Sequence, residues 1–164
     1  MELSQEIKQM LDENIIYLAT STTDGKPNVV PVGYKHAIND DEILIVDVLF
    51  NRTRSNLEIN NRVAISFTDM KRAESYQIKG NATIYTEGDI FQKAVELRKE
   101  IEERKREEIR QRTIRSQEMD NDLEREREKR RATVSTIRTK AAVVITVEEI
   151  YSNVYRPKQE DIGL

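Results

Sequence analysis

Ile43-Leu44-Ile45-Val46-Asp47-Val48-Leu49-Phe50-Asn51-Arg52-Thr53-Arg54-Ser55-Asn56-Leu57 is the stretch on which the fold turns. The apolar run Ile43–Val46 reads as a strand, and Ser55–Asn60 reads as a short helix. Asn51–Arg54 is therefore expected at a strand-to-helix turn. A helix start exposes unpaired backbone N–H groups and the positive end of its dipole, and here two guanidiniums and a hydroxyl are added. Such a corner suits a phosphate. A capped surface helix with solvated arginines accounts for the same residues, and the stretch alone leaves both readings open.

Outward from this corner, short strands and tight turns fill the first ninety residues. Ser4 can cap a helix with Ile7, Met10 and Leu11 on one face and Asn14 near its end. Ile15–Thr22 reads as a strand. Thr23-Asp24-Gly25-Lys26-Pro27 reads as a turn in which Gly25 supplies the positive φ. Val29–Ile38 is expected as a second strand, with a departure from regular pairing at Pro31 and Gly33. Asn39-Asp40-Asp41 turns into Glu42–Val48.

Three more strands follow. Arg62–Thr68 alternates apolar and smaller residues, and Tyr76–Tyr85 carries Gly80 at an expected bend or bulge. Ala141–Val147 is almost wholly apolar and so should be covered on both faces. These six strands, with no helices alternating between them, fit a small antiparallel barrel better than a parallel sheet.

Composition narrows the chemistry. The chain has 164 residues, enough for one domain spanning 1–164 and too few for two ordinary ones. It has no cysteine and one histidine, His36, which removes disulfides, Fe–S clusters and thiolate catalysis and leaves no expected metal site. His36 reads as a partly exposed structural residue, and Tyr34 and Lys35 as either a substrate mouth or a solvated strand end. A net charge of -3 supplies no global field for nucleic acid, so any anion site must be local. No apolar run is long enough for a membrane span and the acidic start lacks a signal-peptide pattern, so a cytoplasmic protein is expected.

Residues of about 89–139 depart from this pattern and read as a helical insertion before the last strand. From Leu97 to Arg131 roughly two thirds of the residues are charged, with no glycine or proline. Glu and Arg at i,i+4 spacing support a long solvated helix or a helical hairpin. Ile109, Ile114, Met119 and Leu123 keep no clean heptad, which disfavours a self-sufficient coiled coil. A solvated excursion and a clasp for a partner both remain open. No aromatic is interleaved for base stacking, so nucleic acid is not expected.

Taken in order, Tyr17-Leu18-Ala19-Thr20, Asp24-Gly25-Lys26-Pro27, Val30-Pro31-Val32-Gly33, Asn51-Arg52-Thr53-Arg54-Ser55-Asn56-Leu57, Asn61-Arg62-Val63-Ala64-Ile65 and Tyr76-Gln77-Ile78-Lys79-Gly80 resemble the pyridoxamine 5'-phosphate oxidase-like split-barrel family of FMN-binding proteins. The resemblance covers about Leu3 to Phe91 and Ala141 to Tyr151. It implies a mainly β fold, a six-stranded antiparallel split β-barrel, and a homodimer with FMN at the subunit interface.

Carried over by position, Asn51, Arg52 and Thr53 would hold the FMN phosphate, with Asn56 and Arg54 nearby. Val30, Pro31, Val32 and Gly33 would lie beside the isoalloxazine, and Asp47 and Val48 would border the ribityl chain. Ser75 and Gln77 would reach the flavin from the other subunit. No catalytic residue is assigned, because hydride transfer to the flavin requires no acid–base group.

The oxidase of vitamin B6 itself carries a tryptophan and an Arg-x-His element that grip its substrate phosphate. This chain has no tryptophan and reads Tyr155-Arg156-Pro157-Lys158 near its end. The expectation is an FMN-dependent oxidoreductase acting on an unknown small acceptor or redox partner. The alternatives are an FMN storage or sensing module that docks a partner through its charged helix, or an F420-dependent reductase. Heme handling is disfavoured by the single histidine.

Overall fold

The structure is a computed structural model that describes residues 1–115 and 121–154. Helix α1 (Gln5–Glu13) begins as its sequence requires: Ser4 Oγ accepts from Ile7 N at 3.2 Å, and Ile7, Met10 and Leu11 are buried. Asn14 ends it, its backbone N–H and its Nδ2 both donating to Met10 O. Strands β1 (Ile16–Ser21), β2 (Pro27–Val32), β3 (Lys35–Ala37), β4 (Glu42–Asp47), β5 (Arg62–Asp69), β6 (Glu74–Tyr85) and β7 (Ala141–Ser152) form one antiparallel sheet in the order β2-β1-β5-β6-β7-β4-β3.

That order dictates the shape. β2 and β3 are the two edges of the sheet, yet only Gly33 and Tyr34 separate them in the chain. Three Cα steps span at most ~11 Å, so the sheet must curl until its edges approach. The barrel therefore has seven strands where six were expected. The expected second strand, Val29–Ile38, is two: Val32 pairs with Ile16 of β1, whereas Lys35 pairs with Ile45 of β4. The chain changes partners where Pro31 and Gly33 had marked an irregularity.

Inward residues Ile16, Leu18, Ile43, Ile45, Ile65, Phe67, Ile78 and Ile145 form the barrel core with Met10 and Leu11 of α1. Each fully buried large apolar side chain contributes about 1.5–3 kcal/mol of transfer free energy. Thr22 N donates to Lys26 O at 3.1 Å, which puts the even-numbered residues of β2 in the hydrogen-bonded pairs with β1. Pro27 and Pro31 thus turn their nitrogens to the free edge, where no ladder donor is lost. At Gly80 the β6–β7 register slips, and a Cβ there would lie 2.1 Å from Thr146 O. Only glycine admits this bulge.

Helices α2 (Arg52–Ile59), α3 (Gly88–Arg115) and α4 (Asn121–Thr136) complete the fold. β4 and β7 are apolar on both faces because α3 covers their outer side: Leu44, Val46, Val48, Ala142 and Val144 cluster with Ala94, Ile90 and Leu97. Buried Arg98 of α3 donates to Ile137 O at 2.5 Å and Val134 O at 2.9 Å, tying the end of α4 back to α3. The proximal insertion is thus a packed element rather than a solvated excursion. The side chains of Ile114 and Leu123, together with Met119 and Tyr155–Lys158, lie outside the described residues.

Candidate functional site

The corner between β4 and α2 is built around a buried carboxylate. Asp47 Oδ1 accepts from Phe50 N at 2.9 Å, and Oδ2 accepts from Arg54 Nε at 2.8 Å and lies 2.7 Å from its Nη2. Its backbone oxygen is taken by Lys140 N at 2.8 Å. These contacts bend the chain sharply after Asp47, so α2 starts at Arg52, three residues before the Ser55 expected from sequence. They also spend the charge of Arg54 internally.

Arg52 has the opposite fate. It is exposed at the first turn of α2, and among the described residues its guanidinium has no carboxylate partner. Asn51 occupies the cap position, but its side chain makes no capping bond. The first-turn N–H groups are consequently not satisfied by that side chain, and Arg52 stands beside them.

Thr53 and Asn56 turn the other way. Thr53 Oγ1 accepts from Asn28 Nδ2 at 3.0 Å, while Thr20 Oγ1 accepts from Asn28 Nδ2 at 3.1 Å and Asn56 Nδ2 at 3.0 Å. Thr20, Thr53 and Asn56 are buried, and with Asn28 this hydroxyl–amide network docks α2 onto β1 and β2. Thr20 and Asn28 had no separate signal in the sequence, since polar residues on strands are ordinarily exposed.

Gly33 comes to the same corner from the far side. Val46 N donates to Tyr34 O at 2.9 Å, and Lys35 pairs with Ile45, so continuing the register places Gly33 beside Asp47. Gly33, Asp47 and Val48 thus lie at one end of β4, and Asn51 and Arg52 follow in the turn that leads from it into α2. Val32 is buried and Val30 packs on the barrel core, Pro31 is exposed, and the Val48 side chain is committed to packing under α3.

Ser75 and Gln77 lie elsewhere. The pairs Pro31–Tyr17, Tyr17–Ser66, Ser66–Gln77 and Gln77–Tyr151 form one row across the outer face of the sheet that α3 leaves bare. Tyr17 and Val29 on this face are 52% and 62% exposed. A shallow cavity of about 270 Å³ indents it where Ala19 and Ala64 are smallest, between Arg62 and Lys79. Within one chain, Ser75 and Gln77 do not join the α2 corner.

Lys35 is not a solvated strand end. It is buried, and its Nζ donates to Asn14 O at 2.5 Å and Asp12 O at 3.4 Å, closing the last turn of α1. Burial brings its pKa down to about 8. His36 beside it is half-exposed, with Nδ1 2.9 Å from Asp12 Oδ2. Among the described residues no group of His, Cys, Asp and Glu could hold a metal ion, and no helix is long and apolar enough to cross a membrane.

One contribution from the insertion escaped the sequence reading. The Tyr34 ring is flanked by Lys105 Nζ at 4.9 Å and Arg98 at 5.7 Å, and its hydroxyl donates to Glu102 Oε1 at 3.3 Å. Lys105 Nζ also lies 3.4 Å from where a Cβ on Gly33 would be. A segment in which most residues are charged offers no periodic signal to single out one lysine.

A curled antiparallel barrel whose two edge strands are joined by a two-residue link defines a split-barrel protein. The chain matches the family model for pyridoxamine 5'-phosphate oxidase over residues 3–154, and it belongs to that family. It is 31% identical over 103 residues to the uncharacterized protein MJ0282 of Methanocaldococcus jannaschii, covering 62% of this chain and 68% of that one. Its fold is similar to HupZ of Group A Streptococcus, with a TM-score of 0.62, 22% identity and coverage of 92% and 94% of the two chains. It is also similar to an FMN-binding protein of Syntrophomonas wolfei, with a TM-score of 0.60, 15% identity and coverage of 92% and 85%. Solved structures of the same fold further include an F420 reductase and the heme storage protein HutZ of Vibrio cholerae.

Proposed function

We propose that the protein binds FMN between the β4–α2 corner and the Gly33 edge and is an FMN-dependent oxidoreductase acting on a small acceptor or a redox partner. The observation that carries this reading is the exposed Arg52 at the start of α2, where Asn51 makes no side-chain capping bond and no carboxylate among the described residues pairs with the guanidinium. The residues present fit the cofactor. Arg52 with the N–H groups of Asn51, Arg52 and Thr53 would hold a phosphate, and glycine at 33 lets the polar edge of a ring approach the backbone.

When bound, FMN would supply the two-electron chemistry. The chain's own residues would bind and orient it: Val30–Gly33 along the ring, Asp47 and Val48 beside the ribityl chain, and Asn56 through the network that fixes α2. Ser75 and Gln77 would serve the site from a second copy of the chain, because their own face is bare and lies apart from their own α2 corner. The exposed Tyr17 and Val29 on that face support a homodimer.

The pairing of Arg54 with Asp47 also favours FMN over F420. A longer acidic tail calls for additional free positive charge, and Arg52 is the one guanidinium that the described turn leaves over. The test is the absorption spectrum of purified protein, or of protein titrated with FMN, before and after anaerobic reduction by NADH, NADPH or dithionite. A flavin spectrum that bleaches with a nucleotide and recovers on adding an acceptor is expected. Bound FMN that dithionite alone reduces would leave a storage module instead, and no FMN binding would overturn the reading.

A further inference from the structure

Burying an ammonium group costs free energy that a nearby carboxylate ordinarily offsets. On α3, Arg98 and Arg106 have that compensation from Glu102, at 2.7 Å and 4.0 Å. Lys105 is an exposed residue, and among the described residues no carboxylate lies within salt-bridge distance of its Nζ. Glu102 already accepts from Arg98 Nε and Tyr34 OH. Desolvation and the neighbouring Arg104 lower the pKa of Lys105, with Glu108 and Glu102 acting in the opposite direction. What holds it in place is the face of Tyr34, and what it points toward is Gly33.

We propose that Lys105 is the cation that faces the pyrimidine edge of the bound flavin, so that the charged insertion supplies part of the redox site. This inference rests on the FMN reading above. Two-electron reduction leaves negative charge on that edge of the ring, and a fixed cation there stabilises the reduced form more than the oxidised one. The insertion makes this possible because α3, packed across β4 and β7, carries its fifth turn past the β2–β3 junction. Lys105 acts here as a positioning and electrostatic group; it neither donates nor accepts the hydride.

The test compares full-length wild type, Lys105→Met and Lys105→Arg, each with FMN. FMN affinity is read by fluorescence quenching and the midpoint potential by anaerobic spectroelectrochemistry. Lys105→Met is expected to shift the preference for reduced over oxidised flavin by about tenfold, which for a two-electron couple is a potential ~30 mV lower, and Lys105→Arg to restore most of it. Should Lys105→Met fail to fold by circular dichroism, Lys105→Gln gives the same comparison. An unchanged potential with FMN bound overturns the assignment of Lys105 alone. Failure of the wild type to bind FMN overturns the cofactor reading and this inference together.

Discussion

Asp47 and Arg54 form a bidentate contact at the end of β4, with Nε at 2.8 Å and Nη2 at 2.7 Å from one carboxylate oxygen, and the Asp47 side chain is 1% exposed. This pair decides which of the two arginines of the turn faces solvent, and it anchors the first turn of α2. Removing one partner of a buried pair strands the other's charge. Asp47→Ala is therefore expected to destabilise the protein by about 3–5 kcal/mol in urea unfolding. With Arg54→Met added, the loss should fall short of the sum of the two single variants.

Arg52 is expected to behave differently, because no carboxylate in the described chain depends on it. Arg52→Ala should leave the urea midpoint within about 0.5 kcal/mol of wild type. It should weaken FMN binding by about 1.5–3 kcal/mol, which is tenfold or more in Kd, through loss of a charge-assisted bond to the phosphate. Fluorescence titration with FMN checks this, and unchanged affinity would remove Arg52 from the site.

Gly80 tests the barrel itself. A methyl group there would meet Thr146 O at 2.1 Å, and a backbone carbonyl within a ladder cannot move aside as a side-chain tip can. Gly80→Ala should cost about 1–3 kcal/mol or more, read as a lowered urea midpoint. Gly25→Ala, strained only by its φ of 87° in an exposed turn with open space around it, should cost about 1–2 kcal/mol.

Lys35 gives a pH prediction with a definite sign. Its pKa is lowered by burial to about 8 in the folded protein, from 10.5, so between those values the unfolded chain holds more protons than the folded one. Stability attributable to this group should therefore rise as pH increases from about 8 to 10.5. Urea midpoints measured across that window should rise less steeply in Lys35→Met than in wild type. An identical slope in the two proteins would place the Lys35 ammonium in water.

Local features proved legible from residues alone where one or two side chains settle the outcome. Ser4 caps α1, Gly25 turns the first hairpin, and Gly80 marks the bulge because no other residue clears Thr146. The uninterrupted apolar run from Ala141 likewise announced a strand covered on both faces. It could not name α3 as the cover, because the apolar stripe of α3 is short and its later turns are charged. The strand-to-helix corner with its arginines was legible as a place in the fold, though α2 starts three residues earlier than Ser55.

The positions of most strands along the chain, the alternation of buried positions and the helical insertion before the last strand follow from the sequence by itself, because period and turn chemistry act over a few residues. Only the tertiary structure decided that Val29–Ile38 divides between the two edges of the sheet, that Arg54 pairs with Asp47 while Arg52 has no carboxylate partner among the described residues, that Lys35 is buried, and that Lys105 reaches Gly33. Each of these depends on which residues distant in sequence become neighbours in space. Asp47, Asn14, Tyr34 and the curl of the whole sheet set those charges and contacts, and no local pattern encodes them.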